Sequence, residues 1–495
     1  MMIKKHLMLT ALLFCGLLAN AQKNKPNAAT ITKTEVENHV RFLASDELKG
    51  RKAGSEGLNV AARYIAEQFR MSGVKTILNH DSYFQSFSLD DISGAKSAEI
   101  KWGDSSWNLE NKLLVMGGSA FDYDGEVVFA KYGLTDEDYK GLKVKGKVVV
   151  LQIGAPDEPN AFAAMRMGQQ KQQLAMQKGA IGVIELYSLP VPWKMMNRYL
   201  KGGRMDIHQE SKSLPTFWVE DGSQEALKAI SSAKKPKMKI MSSGMNIDVK
   251  PTQNVVGYIE GTDAKLKEEY ILLTAHYDHV GVGTAEAPNV TAEDTIFNGA
   301  RDNAIGTTAI ITAARTLAKN PPKRSVVLIA LTAEEVGLLG SKYYADNPMM
   351  PLNRCIFNLN IDNGGYNDTK VVTVIGLERT GAKDQIAEAT AAFSLESIDD
   401  PAPEQGLFDR SDNVNFAAKG IPAPTFSLGF RAFDEEIMKY YHQVTDDAES
   451  VDFDYVLKYC QSYAFAAELI ANLKKSPKWK KGDKYEEAGK NRYGN

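Results

Sequence analysis

Three hydrophobic stretches of this chain end in side chains that can hold a metal ion or move a proton. The run Tyr270-Ile-Leu-Leu-Thr-Ala-His-Tyr-Asp-His carries His276 and Asp278. Ser325 to Leu331 is followed closely by Glu334 and Glu335, and Arg354-Cys-Ile-Phe-Asn-Leu-Asn-Ile-Asp ends in Asp362. Two ions that jointly activate a water need imidazoles and carboxylates, with one group between them. Outside the N-terminal leader the histidines are His39, His80, His208, His276, His279 and His442, and a lone histidine is more often structural than ligating. Context raises His276, because sites form at the C-terminal ends of strands in α/β sheets. Asp278, two residues on, points to the same side and suits a carboxylate that fixes the tautomer of a metal-bound imidazole. His279 points the other way and reads as structural.

The remaining candidates each have a plainer reading. Asp302, in Asn298-Gly-Ala-Arg-Asp-Asn-Ala-Ile-Gly, stands just ahead of a predicted helix and taken alone reads as its N-cap. Glu334 and Glu335 could be the negative first turn of a helix over Val336 to Tyr344, worth a few tenths of a kcal/mol. Adjacent acids at the end of a buried strand are nevertheless costly unless each has a task. One can bind metal, and the other can carry a proton between water and a leaving amine. His442, in Tyr440-Tyr-His-Gln-Val-Thr-Asp-Asp, falls in a loop before the last predicted helix. Three strands ending in His, Glu-Glu and Asp are harder to dismiss together than singly.

The elements that must position these residues follow from hydrophobic period. Helical spacing covers Lys33 to Phe42 and Gly57 to Met71, while Ser45 to Ser55, rich in Gly, Lys and Arg, reads as a loop. Phe84 to Leu89 alternates like a strand. From Asn254 onward strands and helices alternate, with a helix over Ala304 to Leu317, a strand over Val371 to Ile375 and a last helix near Tyr455 to Leu473. Continuous apolar strands such as Ser325 to Leu331 belong in the middle of a sheet covered on both faces, which predicts an α/β domain. Between them, Glu126 to Ala130, Gly146 to Ile153 and Gly182 to Leu186 are short β-rich segments with a helix over Arg166 to Lys178. Residues 113–246 therefore read as an inserted β-rich module, and residues 477–495 as a polar, Lys-rich, exposed tail.

Bulk properties narrow the classes. The chain has 495 residues, 43% hydrophobic and 24% charged, with a formal net charge of -3. That length exceeds one typical domain, and the charge provides no field for nucleic acid or an anionic membrane. Lys4 to His6, the apolar Leu7 to Leu18 and Ala19-Asn20-Ala21 form an export-signal pattern, so residues 1–21 are expected to be removed. Bulky Phe14 argues against lipid on Cys15. No later segment is long and apolar enough to predict a membrane span. Cys355 and Cys460 lie in apolar stretches and read as small buried hydrophobes, not as a disulfide framework.

The order His-x-Asp, Gly-Ala-x-Asp-Asn, Glu-Glu, Asn-x-Asp and Tyr-His-x-x-x-Asp resembles the M28 family of metallo-aminopeptidases. Phe42-Leu-Ala-Ser-Asp-Glu-Leu-Lys-Gly-Arg looks like the usual opening of that catalytic domain, and the insertion resembles a protease-associated (PA) domain. The resemblance implies a mixed central sheet flanked by helices, with a catalytic domain made of 22–112 and 247–476. It implies two zinc ions per chain, roughly 3.5–4 Å apart. Asp302 would bridge them; His276 and Asp362 would complete one ligand set, Glu335 and His442 the other. Glu334 would be the general base toward a metal-activated water, and Asp278 would orient His276. The stretch Gly406 to Phe416, including Asp412, and Tyr441 would line the substrate pocket. Arg301 and Asn413 depart from common forms of the family and bear on substrate preference.

The implied activity is removal of N-terminal residues from peptide substrates by a protein exported to the periplasm or beyond. A dipeptidase or carboxypeptidase of the same fold stays open. So does a binding protein that kept the fold, although the surviving ligand set and base weigh against it. The full ligand set also weighs against a single-zinc glutaminyl cyclase. Preferred residue and oligomeric state are left open by the sequence.

Overall fold

The computed structural model describes residues 26–156, 167–200, 203–210, 213–284 and 289–492. The expected export signal, with Cys15, lies outside the described residues. The chain forms two compact units, Met1–Phe87 with Pro251–Asn495, and Ser88–Lys250. The second unit is longer than the module expected over 113–246. The reason is strand pairing: Ala98–Trp102 pairs with Ser105–Asn108 and with Lys237–Ser242, so residues before 113 complete the insertion's own sheet.

The first unit begins with α1 (Lys33–Leu43) and α2 (Glu56–Met71). Thr32 and Glu35 form a reciprocal capping box at the start of α1, which satisfies two otherwise orphaned backbone N–H groups. The sheet contains β1 (Asn246–Ile259, from Pro251 on in this unit), β2 (Tyr270–His276), β3 (Ser325–Leu331), β4 (Cys355–Ile361), β5 (Val371–Ile375), β6 (Glu396–Ile398) and β7 (Thr425–Leu428). Their order is β6-β5-β7-β4-β2-β3-β1. β2 runs parallel to β3 and β4, β4 to β7, and β5 to β6; β1 is antiparallel to β3, and β5 to β7.

Burial on both faces explains the unbroken apolar runs. Ile271, Leu273, Ala275, Val326, Leu328 and Ala330 pack on one face, into a core shared with α1, α2, α3 (Gly306–Lys319) and α7 (Phe453–Ala471). Leu272, Val327, Ile329 and Leu331 face the other way, toward α4 (Leu339–Asp346) and α6 (Asn413–Ala418). α5 (Lys383–Ala391) joins the first core through Ile386 and Ala389. Each fully buried Val, Leu or Ile among them contributes about 1.5–3 kcal/mol of burial free energy. Cys355 and Cys460 are free and buried.

Ser45 to Ser55 is not a plain loop: Asp46–Arg51 forms 3-10 turns, and Arg51 is buried. Its guanidinium donates to the carbonyls of Leu43, Tyr277, Asn298 and Gly299, so a sequence that looks solvent-loving holds two segments of the site together. Nor is the C-terminal segment merely exposed. Trp479 is buried and donates to Gly420, Asp483 pairs with Arg379, and Tyr485 donates to Asp409. The described chain then ends in α8 (Glu486–Arg492). Aromatic rings among the lysines supply the apolar surface that composition conceals.

The second unit carries an eight-stranded sheet ordered Ser105–Asn108, Ala98–Trp102, Lys237–Ser242, Phe121–Phe129, Val148–Gln152, Gly182–Tyr187, Thr216–Glu220 and Leu113–Gly117. Helices Gly168–Gln177 and Glu225–Ser232 accompany it. Inside it, Lys171 and Glu185 form a fully buried pair at 2.8 Å, and Trp218 donates to the same carboxylate. Among the described residues no helix is long and apolar enough to cross a membrane.

Candidate metal centre

The site grows from the C-terminal ends of β2, β3 and β4. β2 delivers His276 at its last residue, and β4 ends one residue before Asp362. After β3 the backbone turns through Ala333 in a left-handed conformation (φ 57°) and presents Glu334 and Glu335 in succession. These acids do not sit in the first turn of a helix, because α4 starts only at Leu339. The helix-dipole reading therefore falls away. Asp302 lies in a distorted turn ahead of α3. Asn303 ties that turn to the end of β4, donating to Ile361 and accepting from Asn363. Thr307 at the start of α3 donates to the His276 carbonyl.

Two groups of donors share Asp302. One is His276, Asp302 and Asp362; the other is His279, Asp302, Glu335 and His442, and the donor atoms within each lie within 4.8 Å of one another. His276 Nε2 is 3.3 Å from Asp302 Oδ1 and 3.4 Å from Asp362 Oδ1. His442 Nε2 is 3.3 Å from Asp302 Oδ2 and 3.1 Å from Glu335 Oε2. The two oxygens of Asp302 thus face different groups. Oδ1 is buried without a hydrogen-bond partner, an expensive condition for a carboxylate oxygen unless a cation satisfies it. The oxygen- and imidazole-rich donor sets fit zinc, which takes nitrogen and carboxylate oxygen at about 2.0–2.2 Å.

The electrostatics are those of a site built around positive charge. Burial opposes a charged His276, yet Glu334, Asp302 and Asp362 raise its proton affinity well above the ordinary value. Burial likewise opposes charge on His442, while Asp302 and Glu335 push it up to about 10. Burial would protonate Asp302, but His276 and His442 hold it far below the usual carboxylate range. Glu334 is different: burial, reinforced by Asp362, Asp412 and Glu335, raises its proton affinity well above the ordinary value despite His276. Divalent cations would relieve this crowd of carboxylates.

Asp278 has another task than the one expected. Its carboxylate lies 3.9 Å from His276 Nδ1, beyond a hydrogen bond, and the nearer group is its own backbone carbonyl at 3.2 Å. The carboxylate instead accepts from the backbone N–H groups of Glu334 and Glu335, at 3.1 and 3.3 Å. It orients the turn that carries the two acids. His279, read as structural, is buried with Nδ1 2.7 Å from Glu335 Oε1. His39, His80 and His208 lie elsewhere: His39 meets Tyr64, His208 meets Asp90, and His80 is exposed.

Arg301 is engaged inside the fold. Its guanidinium pairs with buried Asp446 at 3.0 Å, donates to Ser450 and stacks on Tyr440 at 3.7 Å. Asp446 also accepts from the backbone N–H groups of Arg301 and Asp302. The pair joins the Asp302 turn to the loop bearing Tyr441 and His442. Arg301→Met leaves Asp446 buried without its cation and is expected to lower stability by about 3–5 kcal/mol. Urea unfolding measures this; an unchanged midpoint would remove the pair from the list of structural supports.

A cleft opens beside Asp362, with Ile375, Leu407, Arg410, Phe433 and Tyr441 in its wall. Tyr441 also stacks on His442, with ring centroids 4.2 Å apart. Asp412, by contrast, is buried with one oxygen unpartnered, and burial raises its pKa to about 7. Asn413 is buried and donates to the Ala423 carbonyl.

Comparison with known proteins adds sequence relatives to this geometry. Residues 254–464 match the family described as Peptidase family M28. Aminopeptidase YwaD of Bacillus subtilis is 26% identical over 351 residues, covering 66% of this chain and 71% of that protein. A probable zinc metalloprotease of Leptosphaeria maculans is 35% identical over 96 residues, covering 19% of this chain and 20% of that protein. Among solved structures, the aminopeptidase from Aneurinibacillus sp. strain AM-1 is similar in fold, with a TM-score of 0.52 at 20% identity, covering 92% of this chain and 96% of that one.

Proposed function

Since residues 254–464 match Peptidase family M28, and since two groups of metal donors there share one carboxylate, we propose that this metallopeptidase is a dinuclear zinc aminopeptidase. The shared position of Asp302 carries the dinuclear reading. His276 and Asp362 would hold one ion with it, and Glu335 and His442 the other. Bound zinc would supply Lewis-acid polarisation of the scissile carbonyl and a lowered pKa for water. Glu334 stands outside both ligand groups, in surroundings that favour its protonated form. That environment suits a group which accepts a proton from the attacking water and delivers it to the departing amine. Asp278 holds the Glu334–Glu335 turn through its two backbone bonds. The cleft at Ile375, Leu407, Phe433 and Tyr441 would receive the side chain of the residue being released. We read the insertion as a protease-associated domain and residues 1–21 as an export signal, which would place the enzyme in the periplasm or outside the cell.

The test is release of free amino acids from short peptides with free or acetylated N-termini, with and without a zinc chelator. Release from free N-termini only, lost on chelation and restored by zinc, is the expected result. Release from acetylated peptides would overturn the aminopeptidase assignment in favour of a carboxypeptidase. In that reading Arg410, exposed in the cleft wall, would take the terminal carboxylate.

A further inference from the structure

We propose that His279 is an additional ligand of the ion assigned to Glu335 and His442, so that this position offers one protein donor more than its partner. The inference rests on the dinuclear reading above and adds a residue to it. His279 is 1% exposed, and Nδ1 faces the same space as the other donors. It lies 2.7 Å from Glu335 Oε1 and 3.9 Å from Asp302 Oδ2. Its ring meets that of His442 edge-on, with centroids 5.6 Å apart. Zinc bonds of about 2.0–2.1 Å put tetrahedral donors roughly 3.3 Å apart. The contacts His442 Nε2–Asp302 Oδ2 at 3.3 Å and His442 Nε2–Glu335 Oε2 at 3.1 Å match that spacing, and those of His279 bracket it.

The fold holds this imidazole in place from behind. Gly299 adopts φ +60°, and a Cβ there would come within 2.6 Å of two ring carbons of His279. Only glycine leaves room for the ring at that angle. The His279 backbone N–H donates to the Arg51 carbonyl, while the Arg51 guanidinium donates to Tyr277 and Gly299. One buried arginine therefore sets both the strand end before His279 and the turn against which its ring rests. Nε2 has no hydrogen-bond partner, so the interactions that orient the ring are its packing and whatever Nδ1 binds.

The consequence is an asymmetric pair. His279, Asp302, Glu335 and His442 present four donors, whereas His276, Asp302 and Asp362 present three. Structural zinc sites are closed by four protein ligands, and catalytic ones keep a position open. The four-donor position fills first and is the more tightly held; the three-donor position, beside the cleft through Asp362, keeps room for water and substrate.

The test uses the full chain, stripped with chelator and titrated with Co2+, whose visible absorption reports coordination without any activity assay. The expected wild-type result is two Co2+ per chain in two resolved phases. His279→Gln keeps a hydrogen-bond donor for Glu335 but supplies no imidazole. It should weaken the tight phase by more than about a hundredfold, beyond the 10–100-fold typical of losing an outer-shell partner, and change its absorption band. His276→Gln should affect the weaker phase instead, and its intact tight phase shows that such variants fold. A His279→Gln chain with wild-type affinity and spectrum would overturn the proposal and leave His279 as a hydrogen-bond donor to Glu335. Wild-type binding of fewer than two Co2+ would overturn the dinuclear reading itself.

Discussion

Glu334→Gln is expected to lower peptide hydrolysis by about 10²–10⁴-fold while zinc content stays at the wild-type level. The separation of these two readouts follows from the geometry. Glu334 belongs to neither donor group, and the glutamine amide is nearly isosteric with the carboxylate. Glutamine has no basic oxygen, so the transfer from water to amine loses its carrier. Burial and the neighbouring Asp362, Asp412 and Glu335 give Glu334 a strong hold on a proton. That property comes from where the turn after β3 places the side chain. Steady-state kinetics on a free-N-terminal peptide, with metal analysis of the same sample, decides the matter. A rate within tenfold of wild type would assign the proton transfer to another group.

Asp302→Ala is expected to abolish activity through loss of metal. Its two oxygens face different donor groups, so one substitution removes a ligand from both. The group of His276 and Asp362 would fall to two donors, fewer than the three protein ligands of a catalytic zinc site, and the other group would lose one of its oxygens. After dialysis the variant should retain no more than one zinc per chain. Zinc should also stabilise it less. A ligand bound only by the folded chain, present at about 100 times its dissociation constant, adds about 2.7 kcal/mol. Wild type should therefore show a larger zinc-dependent rise in Tm than Asp302→Ala. Equal zinc content in the two proteins would refute the shared-carboxylate arrangement.

Much of this architecture was legible in the chain because its signals are local. Ser325–Leu331 and Val371–Ile375 could be bounded to the residue, since strands buried on both faces read as near-continuous apolar runs. The acids and the histidine at their ends stood out against those runs. The order of motifs pointed to the catalytic class before any distance was known. What the sequence could not yield depends on where the regular period stops. His279 was set aside because strand residues alternate sides, yet β2 ends at His276. Beyond that residue alternation no longer applies, and Arg51 and Gly299, far away along the chain, decide where the ring points. Asp278 shows the same limit: its spacing from His276 suited a side-chain contact, but the N–H groups of a turn some fifty residues later were closer.

Two other segments needed the folded chain for a related reason. Arg51 sits among Gly and Lys residues that read as solvent-exposed, and only the convergence of four carbonyls explains a buried guanidinium there. Trp479 and Tyr485 are scattered among lysines, with no period to mark a buried face, yet both pack around Phe408. The sequence by itself determined the strands, the candidate donors other than His279 and the class of chemistry, because each rests on residue type and short-range spacing. The tertiary structure alone decided which candidate donors lie together and how many each group contains, because those depend on distances between elements remote from one another along the chain.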